Sequence, residues 1–245
     1  MTVRDVEVAA RAARAAAEVL QQLRAGDLSG RALGDAGDYA AEQAIWHAIV
    51  WERPEDVVFS EEAADDGRRL TAGRVWIVDP LDGTREYADG RQDWAVHVAL
   101  WADGELSAAA VALPALGEVL LTEPAAAVPD RGDGRVRIAV SRTRPPAQAD
   151  VVAAALDADL VPLGSAGYKT AAVVRGEVDA YVHAGGMYQW DSAAPVAVAR
   201  AAGLTACRLD GSPLVYNAPD PSLPDLVVCR PELADRILGA VRSSS

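Results

Sequence analysis

Several protein classes are excluded by residues that this sequence has in short supply. Its 245 residues include two cysteines, Cys207 and Cys229, and three histidines. So few thiols rule out a disulfide-stabilised scaffold, and so few Cys and His side chains together argue against a zinc cluster. No apolar run approaches the roughly 18 residues of a membrane-spanning helix. Charged residues such as Arg4, Glu7 and Arg11 make the N-terminus unlike a signal peptide. We therefore expect a cytoplasmic protein with no membrane partner.

Positive charge is also scarce. The chain has 36 acidic and 23 basic residues and a formal net charge of −13. This balance argues against a nucleic-acid polymer as partner, because the phosphate backbone would be repelled. A small phosphorylated substrate stays compatible with the sequence, provided that divalent cations reverse the local field. Lys169 is the only lysine, and its presence in an otherwise arginine-based chain hints at a specific task.

The most informative segment is 75–84, in which an apolar strand runs directly into two carboxylates. Pro80 lies between them and lacks the N–H that a ladder or a helix needs, and the glycine that follows permits a tight backbone. We therefore expect the chain to leave the strand and turn sharply. Asp79, the Leu81 carbonyl and Asp82 would then converge on one point, where hard oxygen ligands suit Mg²⁺.

Hydrophobic periodicity predicts two helices followed by a set of strands in the first half of the chain. The predicted helices are residues 3–25 and a second one that follows Asp38 and stops before Pro54, with residues 26–37 as a loop. The predicted strands are residues 57–60, 75–78, 94–101, 105–113 and 118–122. Residues 65–73 are predicted to be a polar loop.

A stretch rich in proline and glycine, residues 124–134, predicts a boundary between two halves. Beyond it strands and helices alternate, as in an α/β layer. The predicted strands are 136–140, 160–163, 179–183, 205–208 and 226–229, and the helices are 147–156, 166–175, 191–202 and one that Pro231 starts. We expect an α/β protein with an N-terminal α+β half, residues 1–128, and a C-terminal α/β half, residues 129–245.

Four acidic residues directly follow apolar or aromatic stretches, namely Glu61, Asp79, Asp82 and Asp191. Each has a local explanation as well. The Glu61-Glu62 pair could be a solvated loop, the two central aspartates an Asx turn, and Asp191 the N-cap of a helix. What favours a functional role is that all of them lie where a strand or loop leaves the core, where α/β proteins collect functional groups.

Three motifs resemble signatures of the inositol monophosphatase superfamily. They are Asp79-Pro-Leu-Asp-Gly-Thr84 preceded by Trp-Ile-Val, the segment that begins Trp190-Asp-Ser-Ala-Ala-Pro, and Ser60-Glu-Glu. Their order and spacing match over nearly the whole chain. The resemblance implies a layered αβαβα sandwich, a metal site between the two halves, and a Mg²⁺-dependent phosphomonoesterase activity.

The resemblance also implies a set of site residues, carried over position by position. The ligands of two or three Mg²⁺ ions would be Glu61, Asp79, the Leu81 carbonyl, Asp82 and Asp191. Thr84 would help to activate the attacking water, and Asp38 would accept a hydrogen bond from Thr84. The backbone N–H groups of Gly83 and Thr84 would hold phosphate oxygens. Asp38 has an alternative, compatible role as the N-cap of the helix that follows it.

Within the superfamily the sequence is most similar to the 3′(2′),5′-bisphosphate nucleotidases, which remove the 3′-phosphate of 3′-phosphoadenosine 5′-phosphate. Arg85-Glu-Tyr87 and Val140-Ser-Arg-Thr143 resemble motifs of that branch. Lys169, downstream of Ser165, lies at the position of the branch's nucleotide-contacting lysine. These matches imply a small phosphorylated nucleotide as substrate, with contacts from Ser165 and Lys169. The local alternative for the pair is a helix start with a solvated lysine.

Two positions depart from the branch. Arg144 stands where the branch usually has a histidine, and His183 stands where it often has a basic residue. Both side chains can still be cationic, so the resemblance implies that they contact phosphate, although recognition of the base could differ. A surface loop for Arg144 and a strand-end histidine without a role for His183 are the local alternatives.

Other functions stay open on the sequence alone. An inositol-1-monophosphatase or a phosphatase like fructose-1,6-bisphosphatase would have the same catalytic centre. A non-catalytic protein that senses nucleotides or metals is a different class, and it predicts a lost ligand or base, whereas all six expected side chains are present. The sequence does not distinguish between a monomer and a homodimer as the oligomeric state.

The resemblance implies inhibition by lithium, and ionic size predicts the effect of calcium. Ca²⁺ prefers longer bonds and more ligands than Mg²⁺, so an in-line displacement geometry should loosen around it. We expect Ca²⁺ to compete with Mg²⁺ without supporting turnover, which phosphate release in each ion alone and in mixtures will measure. Robust turnover with calcium alone would contradict this prediction.

Overall fold

The computed structural model describes residues 3–243, which form alternating layers of helices and sheets. The helices are α1 (Asp5–Arg24), α2 (Gly30–Glu52), α3 (Thr84–Ala88), α4 (Ala147–Leu156), α5 (Ala166–Val174), α6 (Gln189–Ala201) and α7 (Ala234–Arg242). The strands are β1 (Val57–Ser60), β2 (Arg74–Asp82), β3 (Ala95–Ala102), β4 (Glu105–Leu113), β5 (Glu118–Leu121), β6 (Arg137–Ser141), β7 (Asp159–Leu163), β8 (Ala180–Tyr188), β9 (Thr205–Cys207) and β10 (Ser222–Cys229).

The two sheets differ in topology. The N-terminal sheet has the order β1-β2-β3-β4-β5, with β1 parallel to β2 and the other neighbours antiparallel. The C-terminal sheet has the order β7-β6-β8-β10-β9, in which β6 is parallel to both β7 and β8. Through the molecule the layers are α1 with α2, the N-terminal sheet, α5 with α6, the C-terminal sheet, and α4 with α7. This confirms the predicted α/β fold and its αβαβα layering.

Alternation along β2 places its side chains in two different cores. Trp76 and Val78 pack with α1 and α2, whereas Val75 and Ile77 pack with the middle layer of α5 and α6. The middle layer belongs to the second half of the chain, yet it packs on both sheets, so one apolar core crosses residue 129. The division of the chain into two domains at this residue stays a prediction.

The second helix begins earlier than predicted. Residues 26–37 were expected to be a loop, but α2 starts at Gly30. Two glycines that suggested a loop are instead packing positions, because a Cβ on Gly37 would lie 3.0 Å from the Tyr87 ring and one on Gly34 would lie 2.9 Å from the Thr84 methyl group. The alternative role of Asp38 as an N-cap is therefore wrong, since this residue lies inside α2.

The strand β2 also continues further than predicted, because a bulge absorbs Pro80. Asp79 pairs with His97 of β3, and Asp82 pairs with Ala95. Three steps along β2 therefore face two steps along β3, which places one extra residue at positions 80–81. In a regular strand, residues three apart point to opposite faces. The bulge reverses this alternation, so Leu81 packs toward α1 and α2 while both aspartates face the middle layer.

Several other element boundaries differ from prediction because strands pair beyond their apolar segments. β8 extends to Tyr188 and β10 starts at Ser222, since these two residues pair with each other. Short 3₁₀ turns at Arg68–Leu70 and Pro231–Leu233 occur where a loop and the start of the last helix were expected. Within residues 3–243, no helix has both the length and the apolar character that crossing a membrane requires.

Arg69 joins the two halves on the side of the molecule where β1 ends. Its guanidinium group is 1% exposed and donates hydrogen bonds of 2.8–3.1 Å to Asn217 Oδ1 and to the carbonyls of Ala218 and Pro219. It also lies 4.1 Å from the centre of the Phe59 ring. These contacts hold the loop after β1 against the segment that precedes β10, so a residue of the predicted polar loop belongs to the interior.

We expect Arg69→Ala to lower the free energy of unfolding by about 1–3 kcal/mol, because buried acceptors lose their donor. Urea denaturation measures the change. Arg68→Ala is the matched control, since its side chain is 77% exposed and pairs with exposed Asp66. That control should change stability by less than about 0.5 kcal/mol. Equal losses in both variants would show that burial of Arg69 contributes nothing.

Candidate active site

The bulge, the loop after β1 and the first turn of α6 bring the four predicted acidic side chains together. Glu61, Asp82 and Asp191 line one cavity of about 770 Å³ between the two sheets. Asp79 is 1% exposed and lies beneath them, and its Oδ2 has no hydrogen-bond partner among residues 3–243. Four carboxyl groups from three separate segments thus share one site.

Asp82 is held by the N-terminus of α5. The Ser165 hydroxyl donates to Asp82 Oδ2 at 2.5 Å and the Gly167 amide to the same oxygen at 2.6 Å, while the Ala166 amide donates to Oδ1 at 3.2 Å. Burial opposes ionisation, but contact with His97 and these donors outweighs it and lowers the pKa of Asp82 to about 2. Asp82 is therefore a fixed anion.

The other three carboxyl groups have the opposite electrostatics. Burial, followed by repulsion from Asp82 and Glu61, raises the pKa of Asp79 well above its usual value. Asp79 Oδ1 also accepts a 3.1 Å hydrogen bond from the Leu81 amide, so the Asx turn predicted as a local alternative is present.

Glu61 and Asp191 line the same cavity as Asp82 and come from different segments of the chain. Glu61 as a residue is exposed, but desolvation of its carboxyl group, followed by repulsion from Asp191 and Asp82, raises its pKa to about 8. Burial and repulsion from Asp82 raise the pKa of Asp191 to about 6. Asp191 accepts a 2.5 Å hydrogen bond from the Tyr188 amide. Its predicted alternative role as an N-cap is wrong, because Tyr188 is the N-cap of α6 and Asp191 is the third residue of the helix.

This arrangement fits a hard divalent cation. The donors are carboxylate oxygens, one of them an orphaned buried atom, and like charges this close are tolerated only when protons or cations neutralise them. Carboxylate oxygens of Asp79 and Asp82 and a ring nitrogen of His97 lie within 4.8 Å of one another. A bound cation would displace the protons that Glu61, Asp79 and Asp191 hold because their pKa values are raised.

Thr84 and Asp38 meet at the edge of the same centre. The Thr84 hydroxyl lies 3.4 Å from Asp38 Oδ1 and 3.1 Å from the Leu81 carbonyl oxygen, and it can donate its one hydrogen to either. Burial, followed by repulsion from Glu62, raises the pKa of Asp38 to about 7. Gly83 precedes α3 with a φ of 91°, a left-handed conformation that favours glycine.

The predicted substrate residues line the same cavity. They are Gly83, Thr84, Arg144, Ser165, Lys169 and His183. Lys169 is buried, and its Nζ donates to the carbonyls of Gly164 and Ser165 at 3.1 and 2.6 Å. Burial, partly offset by nearby carboxylates, lowers the pKa of Lys169 to about 8. The Ser165 hydroxyl is already engaged by Asp82, so its predicted contact with substrate would need a shared or displaced hydrogen bond.

His183 and Arg144 differ in how far they match expectation. Arg144 is exposed on the cavity rim, where its charge is available to a ligand. His183 was expected to be cationic, but burial lowers its pKa below the ordinary value, which favours the neutral ring at pH 7.

Sequence reasoning missed two features of the site. His97 is completely buried and contacts Asp82, with 3.3 Å between Nε2 and Oδ2. It is the only ionisable residue in β3, and that exception in an apolar strand was an available signal. The second feature is the ion pair of Arg142 with Glu86 at 2.6 Å, which joins the two halves across the cavity wall.

The comparison with known proteins agrees with this geometry. The profile of the "Inositol monophosphatase family" matches residues 1–245, so the chain belongs to that family. A Mycobacterium leprae protein named 3′-phosphoadenosine 5′-phosphate phosphatase is 52% identical over 97% of this chain and 93% of its own length. A Mycobacterium bovis protein of the same name is 53% identical over 85% of this chain and 82% of its own length.

A solved structure extends the comparison to the fold. CysQ from Bacteroides thetaiotaomicron, described as a bacterial member of the inositol monophosphatase family, superposes with a TM-score of 0.79 at 23% identity. The match covers 92% of this chain and 97% of that one. The predicted family is confirmed. Members of this family are generally metal-dependent, in keeping with the carboxylate centre.

We expect Mg²⁺ binding to release protons between pH 6 and 8. Glu61 and Asp191 have pKa values of about 8 and 6 in the metal-free protein, and a carboxyl group must lose its proton to bind a cation. Apparent affinity for Mg²⁺ should therefore rise with pH across this range. Isothermal titration calorimetry at pH 7 in buffers of different ionisation enthalpy counts the released protons. Affinity that stays flat between pH 6 and 8 would contradict the raised pKa values.

Proposed function

We propose that this protein is a Mg²⁺-dependent phosphomonoesterase that hydrolyses the 3′-phosphate of 3′-phosphoadenosine 5′-phosphate to give AMP and phosphate. The observation that carries the proposal is one cavity that is lined both by carboxylates, namely Glu61, Asp82 and Asp191, and by four basic side chains. Relatives that are 52–53% identical over most of the chain are named for this activity. The activity predicted from the sequence and the names of these relatives agree.

The charge of the cavity supports a substrate with two phosphate groups. Besides the acidic centre, the cavity is lined by four basic side chains, which are Arg85, Arg142, Arg144 and Lys169. In this assignment the acidic centre and its cations hold the phosphate that is cleaved, and the basic residues hold the second phosphate. Arg142 is already paired with Glu86. A monophosphate such as inositol 1-phosphate would leave the other three basic side chains without a phosphate partner, and this favours the bisphosphate over the inositol alternative.

We assign the metal site to the residues expected from the sequence. Glu61, Asp79, the Leu81 carbonyl, Asp82 and Asp191 would hold two or three Mg²⁺ ions. Bound Mg²⁺ acidifies water and stabilises the leaving oxygen of a phosphoryl transfer. The protein supplies fixed ligand positions, since Asp82 is anchored on α5 and Asp191 on the first turn of α6.

Asp38 and Thr84 would position the attacking water. When Asp38 is ionised it accepts the Thr84 hydrogen, and the threonine oxygen is then free to accept a hydrogen bond from that water. Such a pair contributes roughly 10²–10⁴-fold to the rate. The amides of Gly83 and Thr84 at the start of α3 would bind oxygens of the transferred phosphoryl group.

In this proposal Lys169 both holds a loop of the protein and contacts the substrate. Two of its three ammonium hydrogens bond to the carbonyls of Gly164 and Ser165, which fixes the loop that carries Asp82's partners. We assign the third hydrogen to an oxygen of the substrate's second phosphate. The single lysine of the chain would thus connect nucleotide binding to the position of an acidic ligand.

A substrate panel tests the proposal. With Mg²⁺, kcat/KM should be highest for 3′-phosphoadenosine 5′-phosphate and lower for AMP, inositol 1-phosphate and fructose 1,6-bisphosphate, as measured by phosphate release. Asp82→Asn should lower kcat by more than about 10²-fold, because it removes a fixed ligand charge. Asp133→Asn, an exposed carboxylate outside the cavity, is the control and should leave kcat unchanged. A clear preference for inositol 1-phosphate would overturn the substrate assignment, and undiminished activity of Asp82→Asn would overturn the site.

A further inference from the structure

His97 lies at the contact between the two halves, directly below the acidic centre. Its Nδ1 is 3.1 Å from the carbonyl oxygen of Trp190, the residue that precedes Asp191. A carbonyl oxygen only accepts, so Nδ1 carries the hydrogen of this bond. The Nε2 side of the ring lies 3.3 Å from Asp82 Oδ2. Nδ1 also lies 3.8 Å from Asp79 Oδ2. One imidazole therefore contacts two acidic side chains and the backbone next to a third.

Gly167 shows that His97 is not a direct metal ligand. A Cβ on Gly167 would lie 1.9 Å from Nε2 and at nearly equal distances, 2.8 and 2.9 Å, from Cε1 and Cδ2. That position therefore lies on the outward axis of Nε2, along which a ligand nitrogen binds its metal. It is also one bond, about 1.5 Å, from the Gly167 α-carbon. A metal ion on this axis, at about 2.1 Å from the nitrogen, would collide with that carbon.

The same contact explains why Nε2 has no hydrogen-bond partner within the described residues 3–243. Gly167 lies in α5 without a positive φ, so its backbone conformation alone would accept alanine. What excludes a side chain there is the imidazole. His97 and Gly167 are thus a matched pair, in which the ring occupies the space that the missing Cβ leaves open.

The positions of the two acidic residues Asp82 and Asp191 must be fixed by other parts of the protein. Asp82 comes from the N-terminal sheet and Asp191 from the first turn of α6, and two carboxylates repel each other. Asp82 accepts a hydrogen bond from α5, and the imidazole ring, packed against Gly167, sets the distance between α5 and β3. The hydrogen bond from the ring to the Trp190 carbonyl sets the distance between β3 and the segment that carries Asp191.

We propose that His97 is a positioning residue that fixes the separation between Asp82 and Asp191 through the Trp190 hydrogen bond and the close contact with Gly167. The inference rests on the metal site proposed above and adds a residue that supports it without binding the ion. Residues of this kind, which orient metal ligands, typically change metal affinity by about 10- to 100-fold when they are replaced.

Binding of Mn²⁺ in the absence of substrate, with the free ion counted by electron paramagnetic resonance, measures this role without relying on activity. His97→Ala should raise the Mn²⁺ dissociation constant by about 10- to 100-fold. His97→Asn and His97→Gln should each bind Mn²⁺ with an affinity between those of wild type and His97→Ala. The amide nitrogen of His97→Asn occupies the place of Nδ1 and can donate to the Trp190 carbonyl, but the contact with Gly167 is lost. The amide of His97→Gln reaches the Nε2 side beside Gly167, but the bond to Trp190 is lost.

Val98→Ala is the matched control for lost packing. Val98 is also completely buried in β3, but it faces α1 and α2 on the opposite side of the sheet. It should lower the melting temperature of the metal-free protein without changing Mn²⁺ affinity. This comparison separates a general loss of stability from a specific loss of metal binding.

Gly167→Ala tests the matched pair. Alone, it should push the ring away and weaken Mn²⁺ binding at least about tenfold, whereas the double variant with His97→Ala should bind no more weakly than His97→Ala alone. Additive losses would overturn the proposed contact.

The possible results separate this inference from the proposed function. A wild-type protein that binds no Mn²⁺ would overturn the metal site itself. If wild type binds Mn²⁺ and His97→Ala binds it equally well, or if His97→Asn and His97→Gln are both as weak as His97→Ala, only the role of His97 is overturned. Nitrogen-14 coupling to bound Mn²⁺, measured by pulsed electron paramagnetic resonance, would also overturn it, because that signal identifies a direct ligand.

Discussion

The bulge at residues 80–81 is the constraint on which the rest of the site depends. Without an extra residue, Asp79 and Asp82 would point to opposite faces of the N-terminal sheet, one of them into the apolar core beneath α1 and α2. With it, both face the middle layer, where Asp82 meets the N-terminus of α5. Proline suits this position because a bulge leaves a residue outside the ladder, so the missing N–H is not a loss. The site is thus set by strand register before any ligand is present.

The second half of the chain completes what the bulge starts. The amides of α5 and the Ser165 hydroxyl hold Asp82 as an anion, while the first turn of α6 carries Asp191. Both helices belong to the middle layer, which packs on each sheet, so the apolar core and the acidic centre are aligned by the same contacts. Burying several carboxyl groups this closely is electrostatically unfavourable, and the raised pKa values of Asp79, Glu61 and Asp191 record that cost.

Local patterns predicted most of the fold, and they were wrong where a long-range contact decided the outcome. Apolar alternation located the strands, but the end of β8 depended on pairing with Ser222, far along the chain. Glycines suggested a loop before Asp38, yet Gly37 is small because Tyr87 packs against it. The acidic residues could be selected through their motifs, since each directly follows an apolar or aromatic stretch. No motif contains His97, and its position as the only ionisable residue of β3 was the one available signal. Its proposed role depends on register opposite Asp79 and on the contact with Gly167, neither of which a single sequence displays.

The burial of Lys169 has a chemical consequence for the folded protein as a whole. The other 22 basic side chains are arginines, so Lys169 is the only side-chain primary amine in the chain. It is 5% exposed, and two backbone carbonyls hold its nitrogen. Enzymes that acylate surface lysines therefore find no exposed side-chain amine on the native molecule. Because Lys169 lines the substrate cavity, a small acylating reagent can reach it only by entering that cavity, so acylation would report whether the cavity is occupied.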